Sequence, residues 1–150
     1  MYRNDMIYRI NADKTVTVTD NTWSGTVLDL RCGVGGREIS AIGEEAFADC
    51  VCMEELRLPE SLRSIGSFAF GRCESLREVR IPEGVETIGD HAFAECCSLS
   101  RVGLPTTLTQ IGEDVFDMCP EDLVIAAEEG SYAYSWALEQ GFACIAGSDA

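Results

Sequence analysis

An Ile-Gly pair returns every 23 residues, at Ile42-Gly43, Ile65-Gly66, Ile88-Gly89 and Ile111-Gly112. Each copy carries a small residue, a phenylalanine and then a cysteine at fixed offsets, ending on Cys50, Cys73, Cys96 and Cys119. A strict period of about 20 to 29 residues marks units that each form one coil of a solenoid, because a unit of that size cannot bury its apolar side chains alone. A solenoid supplies a surface and no chemistry of its own, so function must be sought in what the coils display.

Aligned, the units read Leu-x-x-Val-x-Ile-Pro-x-x-Val-x-x-Ile-Gly-x-x-Ala-Phe-x-x-Cys, most cleanly from Leu76 to Cys96. Val79-x-Ile81 is a period-two apolar pair, with counterparts in Leu56/Leu58, Val102/Leu104 and Leu123/Ile125, so one short strand per coil is expected to stack into a parallel sheet. Pro59, Pro82 and Pro105 lack the N–H of a ladder and suit the strand ends. The following Val85-x-x-Ile88-Gly89 stretch is at most a minor strand, with glycine allowing a tight bend. A helical turn is expected next, its start marked by Glu44-Glu45, Asp90 and Glu113-Asp114, which would complement a helix dipole. Phe47, Phe70, Phe93 and Phe116 form a second core ladder.

Repeat arrays need atypical ends. Met6 to Thr19 reads as two alternating strands joined by Asn-Ala-Asp-Lys, a hairpin over the first coil. Gly33-Val-Gly35-Gly36 reads as an irregular entry loop. Ser131 is a helix N-cap for a helix from about Tyr132 to Gln140, with Gly141 as its stop and Phe142 to Ala146 as a last strand shielding the sheet edge. Trp23 and Trp136 fall in these end segments and read as packing residues. The expected organisation is one domain over 1–150, with an N-terminal cap and entry loop at 1–38, repeats at 39–125 and a C-terminal cap at 126–150.

Asp and Glu number 26 against 11 Lys and Arg, a net charge of −15. That excess repels phosphate backbones and anionic lipids, which argues against nucleic-acid and membrane partners. No run approaches the roughly 18 apolar residues of a spanning helix, and the start, Met-Tyr-Arg-Asn-Asp-Met, lacks the layout of a secretory signal. As written the chain is expected in the cytoplasm; removal of a signal from a longer precursor would instead place it outside the cell or on its surface. The eight cysteines do not read as a disulfide framework. Four occupy one position of successive coils, where stacked side chains run parallel and their Cβ atoms do not converge as a disulfide requires. Reduced core thiols fit a reducing compartment. The redox states of Cys32, Cys52, Cys97 and Cys144 stay open.

The motifs Ile-Gly-x-x-Ala-Phe-x-x-Cys and Val-x-Ile-Pro, in four copies in register over about residues 39 to 125, resemble the BspA-like class of bacterial leucine-rich repeats. The end segment Glu-Gly-Ser-Tyr-Ala, followed by a short helix and Gly-Phe, is similar too. The resemblance implies an α/β fold, a right-handed curved β-α superhelix of short parallel strands and short helical turns, with an N-terminal β-hairpin cap and a C-terminal helix-strand cap. It also implies binding of proteins or extracellular matrix, frequent exposure on bacterial surfaces, and no catalytic centre.

With Val79 and Ile81 inward, Glu78 and Arg80 point out to the concave face. The equivalent positions make Glu55, Arg57, Glu78, Arg80 and Arg101 the candidate partner-binding residues. Over Met53 to Pro59, Leu76 to Pro82 and Leu99 to Pro105 the charges are four Arg and three Glu, a net +1, whereas the four segments beginning at Gly43, Gly66, Gly89 and Gly112 sum to −8. One reading is a protein-interaction or scaffold module whose guanidinium groups recognise carboxylates. A second is that these side chains only neutralise one another across strands, as exposed ion pairs worth about 0 to 1 kcal/mol do. Self-association, as a weak homo-oligomer or in a structural or adhesive role, is a further alternative. Thiol sensing is weighed at Cys50-Val-Cys52 and Cys96-Cys97, but Asp49 and Glu95 oppose thiolate formation. The single histidine, His91, reads as a surface residue, which weakens cysteine–histidine catalysis. Cys-x-Cys with one histidine lacks zinc-site spacing, and Gly-Val-Gly-Gly is not a phosphate loop. No catalytic, cofactor or metal residues are therefore assigned.

Overall fold

The computed structural model describes residues 5–147, so the first four residues of the leader reading lie outside it. Each repeat contributes two strands. The first comes from Leu-x-x-Val-x-Ile: β5 (Glu55–Arg57), β7 (Glu78–Arg80), β9 (Arg101–Gly103) and β11 (Val124–Ala127). The second ends on the isoleucine of Ile-Gly: β4 (Ile39–Ile42), β6 (Ser64–Ile65), β8 (Thr87–Ile88) and β10 (Gln110–Ile111). Terminal segments extend both stacks with β1 (Met6–Ile10), β2 (Val16–Asn21), β3 (Val27–Asp29) and β12 (Ala143–Ala146), and α1 (Tyr132–Glu139) is the one α-helix among the described residues. The result is a β-solenoid of two six-stranded sheets, ordered β1-β2-β4-β6-β8-β10 and β12-β11-β9-β7-β5-β3. All pairs are parallel except β1–β2. The minor strand thus builds a whole second sheet, because two paired residues per coil suffice when every coil repeats them.

The core lies between the sheets and the turns. Leu28, Leu56, Val79, Val102 and Ile125 point inward from one sheet, and Ile42, Ile65, Ile88 and Ile111 from the other. Phe47, Phe70, Phe93 and Phe116 stack with centroids 5.5, 5.3 and 5.9 Å apart, the first three rings fully buried. Each buried side chain of this size contributes about 1.5 to 3 kcal/mol, and the repeat makes the contribution recur.

The segment after Ile-Gly is not the expected helical turn. Two residues per coil have left-handed backbones: Glu45, Phe68, His91 and Asp114 at φ between 51 and 57°, and Asp49, Arg72, Glu95 and Met118 at φ between 60 and 65°. A right-handed helix cannot pass through such residues. The backbone bonds between coils instead: the Phe47, Phe70 and Phe93 N–H groups donate to the oxygens of Ala69, Ala92 and Val115 at 2.8 to 3.0 Å, and those of Asp49, Arg72 and Glu95 to Gly71, Ala94 and Asp117 at 2.7 to 2.8 Å. The acidic residues there complement no helix dipole, and the Asp90 carboxylate accepts from the Glu113 N–H at 2.8 Å.

This bonding explains the cysteine ladder. It engages the N–H groups of Phe47, Phe70 and Phe93 but leaves the carbonyls of the same three residues without a backbone donor among the described residues. The thiols of Cys73, Cys96 and Cys119 fill that vacancy from the next coil, with sulfur–oxygen distances of 3.5, 3.3 and 3.2 Å. Cysteine combines the small apolar volume of a core position with a weak donor. All eight cysteines are free.

The glycines of Ile-Gly also act differently from a tight bend. None of the four has positive φ. A Cβ on Gly89 would lie 2.5 Å from the Ser67 nitrogen and 2.7 Å from the Gly66 carbonyl carbon, so close backbone approach between coils excludes a side chain. At the ends, β1 pairs antiparallel with β2, and Ser131 N-caps α1 by accepting from the Tyr134 N–H at 3.1 Å. Gly141, at φ 85°, follows the C-cap Gln140.

Candidate protein-binding face

Alternation along β5, β7 and β9 buries Leu56, Val79 and Val102 and turns the candidate residues outward. The register stacks Glu55 on Glu78 and Glu78 on Arg101, and sets Arg57 beside Asp29 and Arg80 beside Gly103. All five candidates therefore share one sheet face. Glu55, Arg57, Glu78 and Arg80 are exposed, whereas Arg101 is half-buried.

The charges partly pair. The Arg57 guanidinium binds the Glu55 carboxylate on its own strand and lies 3.9 Å from Asp29 on the next. Arg77 reaches Glu54 across strands at 3.1 Å. Asp29 is held at the start of the row by Arg31 at 2.7 Å; that hydrogen bond brings its pKa down to about 2, against the opposing effect of burial. Beside these pairs Glu54, Glu55, Arg77, Glu78 and Ser100 line a shallow depression of ≈ 500 Å³. Past Arg101 the face loses its charge: Gly103, Val124, Ala126, Ala143 and Ile145 complete it.

Asp29, Arg31, Glu54 and Arg77 join this charged surface beyond the five residues that strand alternation singles out. Glu54 and Arg77 carry the same charge alternation one residue earlier and were legible on that basis. Asp29 closes β3 and Arg31 follows it, and β3 escapes the period because the Leu28–Leu56 interval is five residues longer than the repeat, the excess lying with the glycine-rich segment 33–36.

The other chemical candidates lie elsewhere. His91 is on the turns, its ring stacked on Phe68 at 4.7 Å with planes 1° apart and its Nε2 3.9 Å from Asp114. Its neighbours on the ladder are thus aromatic and acidic, with no thiol in contact. Contact with Cys96 and burial push the Cys73 thiol well up, and burial raises Cys119 to about 12. Burial likewise raises Cys50 and Cys144. These thiols hold their protons and serve packing. Among the described residues no three His, Cys, Asp or Glu side chains cluster as metal ligands, and no helix is long and apolar enough to cross a membrane.

The BspA type leucine rich repeat region matches residues 38–131 in six copies, two more than the strict Ile-Gly period displays. A leucine-rich repeat protein from Bacteroides capillosus superposes with a TM-score of 0.74 at 25% identity, over 85% of this chain and 97% of that one. Another, from Bacteroides ovatus, gives 0.69 at 26% identity over 87% of this chain, which spans 38% of that protein. The T. pallidum leucine-rich repeat protein shares the fold, with a TM-score of 0.67 at 22% identity over 84% and 70% of the two chains. No curated protein sequence matches the chain. Leucine-rich-repeat proteins are in general interaction or surface modules, and the fold is typically a non-enzymatic scaffold. By its repeats and its coil, this chain belongs to the BspA-type leucine-rich-repeat family.

Proposed function

We propose that the outer face of β5, β7 and β9 binds a protein partner with an acidic or mixed surface, and that the chain works as a non-catalytic interaction or scaffold module. The carrying observation is the charge contrast: a sheet face with a net +1 on a chain of −15. Planar guanidinium forks match carboxylates. Arg57 is already engaged by Glu55, but no ion pair to Arg80 forms within 4.0 Å among the described residues, which leaves Arg80 available to a ligand. The reading takes the chain as one right-handed curved domain, with residues 39–125 presenting this concave face and residues 1–38 and 126–150 closing the stack as caps. Eight free thiols support a reducing compartment for it.

Affinity capture with the natural chain and with Arg57→Glu/Arg80→Glu tests the proposal. Exposed ion pairs are worth about 0 to 1 kcal/mol, so both chains are expected to unfold at similar denaturant concentrations. A protein retained only by the natural chain, whose binding slows hydrogen exchange in β5, β7 and β9, is the expected result. Equal retention by both chains, or protection confined to the turns, refutes the assignment.

A further inference from the structure

β3 and β12 are the outermost strands of one sheet, and their free edges differ. β3 carries Asp29, bound to Arg31 at 2.7 Å and 3.9 Å from Arg57. β12 is Ala-Cys-Ile-Ala, with no charge, Ala143, Ile145 and Ala146 exposed, and Ile145 at 41% exposure. Exposed edges are ordinarily blunted by charge, proline or a bulge, because unpaired N–H and C=O groups recruit another strand. β12 has none of these devices.

Which groups face the open edge follows from the register. β12 runs parallel to β11, Ala143 beside Val124 through Ala146 beside Ala127, and the Gly147 N–H donates to the Ala127 oxygen at 2.9 Å. Alternation then directs the backbone groups of Ala143, Ile145 and Gly147 to β11, and those of Cys144 and Ala146 outward. Two donors and two acceptors thus stand on one uncharged strand.

The geometry points to a second copy of this chain as the occupant of this edge, its β12 antiparallel to the first about a two-fold axis through the Ile145 pair. In that register Cys144 exchanges both hydrogen bonds with the second copy's Ala146, Ala146 does the same with the second copy's Cys144, and the two Ile145 side chains meet as a close, non-hydrogen-bonded pair. The edge is its own complement, as an isologous interface requires. Charge permits this approach where the net −15 opposes others. Moving in from β12, the register aligns exposed Ile145 with Ala126 and Gly103, both buried, and with half-buried Arg101 beside them, and the first carboxylate on these rows is Glu78 on β7. With strands about 4.8 Å apart, the two Glu78 rows lie about 34 Å from each other, well beyond a screening length of about 8 Å. Asp149, Glu139, Glu129 and Glu128 are the acids that lie near the strand in sequence, and screening of their like charge makes the association tighten as salt rises. None of this depends on what the charged part of the face binds.

Sedimentation equilibrium on the intact chain, at low and high salt, tests the inference with Ala146→Pro and Ile145→Lys. Proline at 146 removes only an outward N–H, which an edge strand accepts, so the circular dichroism is expected to match the natural chain. The natural protein is expected to approach twice 16.3 kDa as concentration rises. Ala146→Pro deletes two hydrogen bonds per dimer, weakening association by about 30-fold or more, and Ile145→Lys leaves monomer. Should the proline variant not fold, Ile145→Lys decides, since its side chain takes no part in the backbone bonding. A natural chain that stays monomeric overturns the inference, as does a dimer that tolerates both substitutions. A mass that grows past two copies also overturns it, by indicating head-to-tail stacking of β12 on β3. So does an edge that takes up an added extended peptide but never a second copy.

Discussion

Replacing Gly89 by alanine tests whether close backbone contact sets the spacing of the coils. The position has no positive φ, so the backbone accepts alanine without strain, and an unhindered Gly→Ala change would stabilise by about 0.4 to 1 kcal/mol through the unfolded chain. The added methyl, however, meets the Ser67 nitrogen at 2.5 Å, the Gly66 carbonyl carbon at 2.7 Å and the Ser67 Cα at 3.0 Å. All three are backbone atoms, and β8 is paired to β6 immediately before them, so relief requires separating two coils. Overpacking in cores costs about 1 to 3 kcal/mol, and the immobile neighbours place Gly89→Ala at the upper end. At roughly 2 to 4 °C per kcal/mol for a chain of this size, the melting temperature is expected to fall by about 6 to 12 °C. Two comparisons isolate the cause. Gly43→Ala, whose nearest atom is the Val18 oxygen at 2.9 Å, is expected to cost less. Gly36→Ala, at φ 76° with nothing within 4 Å, probes left-handed strain alone, about 1 kcal/mol. Thermal and urea unfolding measured together give the values. A Gly89→Ala protein as stable as the natural one would refute the steric reasoning.

Two further predictions concern the turns and the thiol ladder. Met118 has φ 62° and a 71% exposed side chain, so Met118→Asn, which suits that backbone better and forfeits little packing, is expected to raise the urea midpoint, by about 0.5 to 1 kcal/mol in stability; no gain would deny that the turns store strain. Burial raises the Cys119 pKa from 9.0 to about 12, so the folded chain keeps a proton that the unfolded chain releases; its stabilisation is complete below about pH 9 and is lost as pH climbs toward 12. Cys119→Ala is expected to flatten that alkaline decline in denaturant titrations, and an unchanged slope would place the linkage elsewhere.

The period alone determined the solenoid, the register of the coils and the inward set, because a recurring apolar pattern has one way to bury itself. It placed Glu55, Arg57, Glu78, Arg80 and Arg101 on one face by strand alternation, and Ser131 and Gly141 marked the helix between them by local capping chemistry. What the sequence did not show is whatever arises between coils. Glu44-Glu45 and Asp90 read as a helix start, but at each turn two residues adopt left-handed backbones because inter-coil hydrogen bonds outweigh local helical ones. Gly89 reads as a bend and is a spacer, since its constraint comes from Ser67 and Gly66 on the neighbouring coil. Cys96 reads as a small hydrophobe; only stacking brings its thiol to the Phe70 carbonyl. Asp29 escaped because extra residues in the Gly33–Gly36 region break the period, and it joins the charged face by pairing with a strand far along the chain. Local patterning carries information about which side chains must be hidden, whereas the partner of each backbone group is set by the coil next to it, and that adjacency exists only in the folded stack.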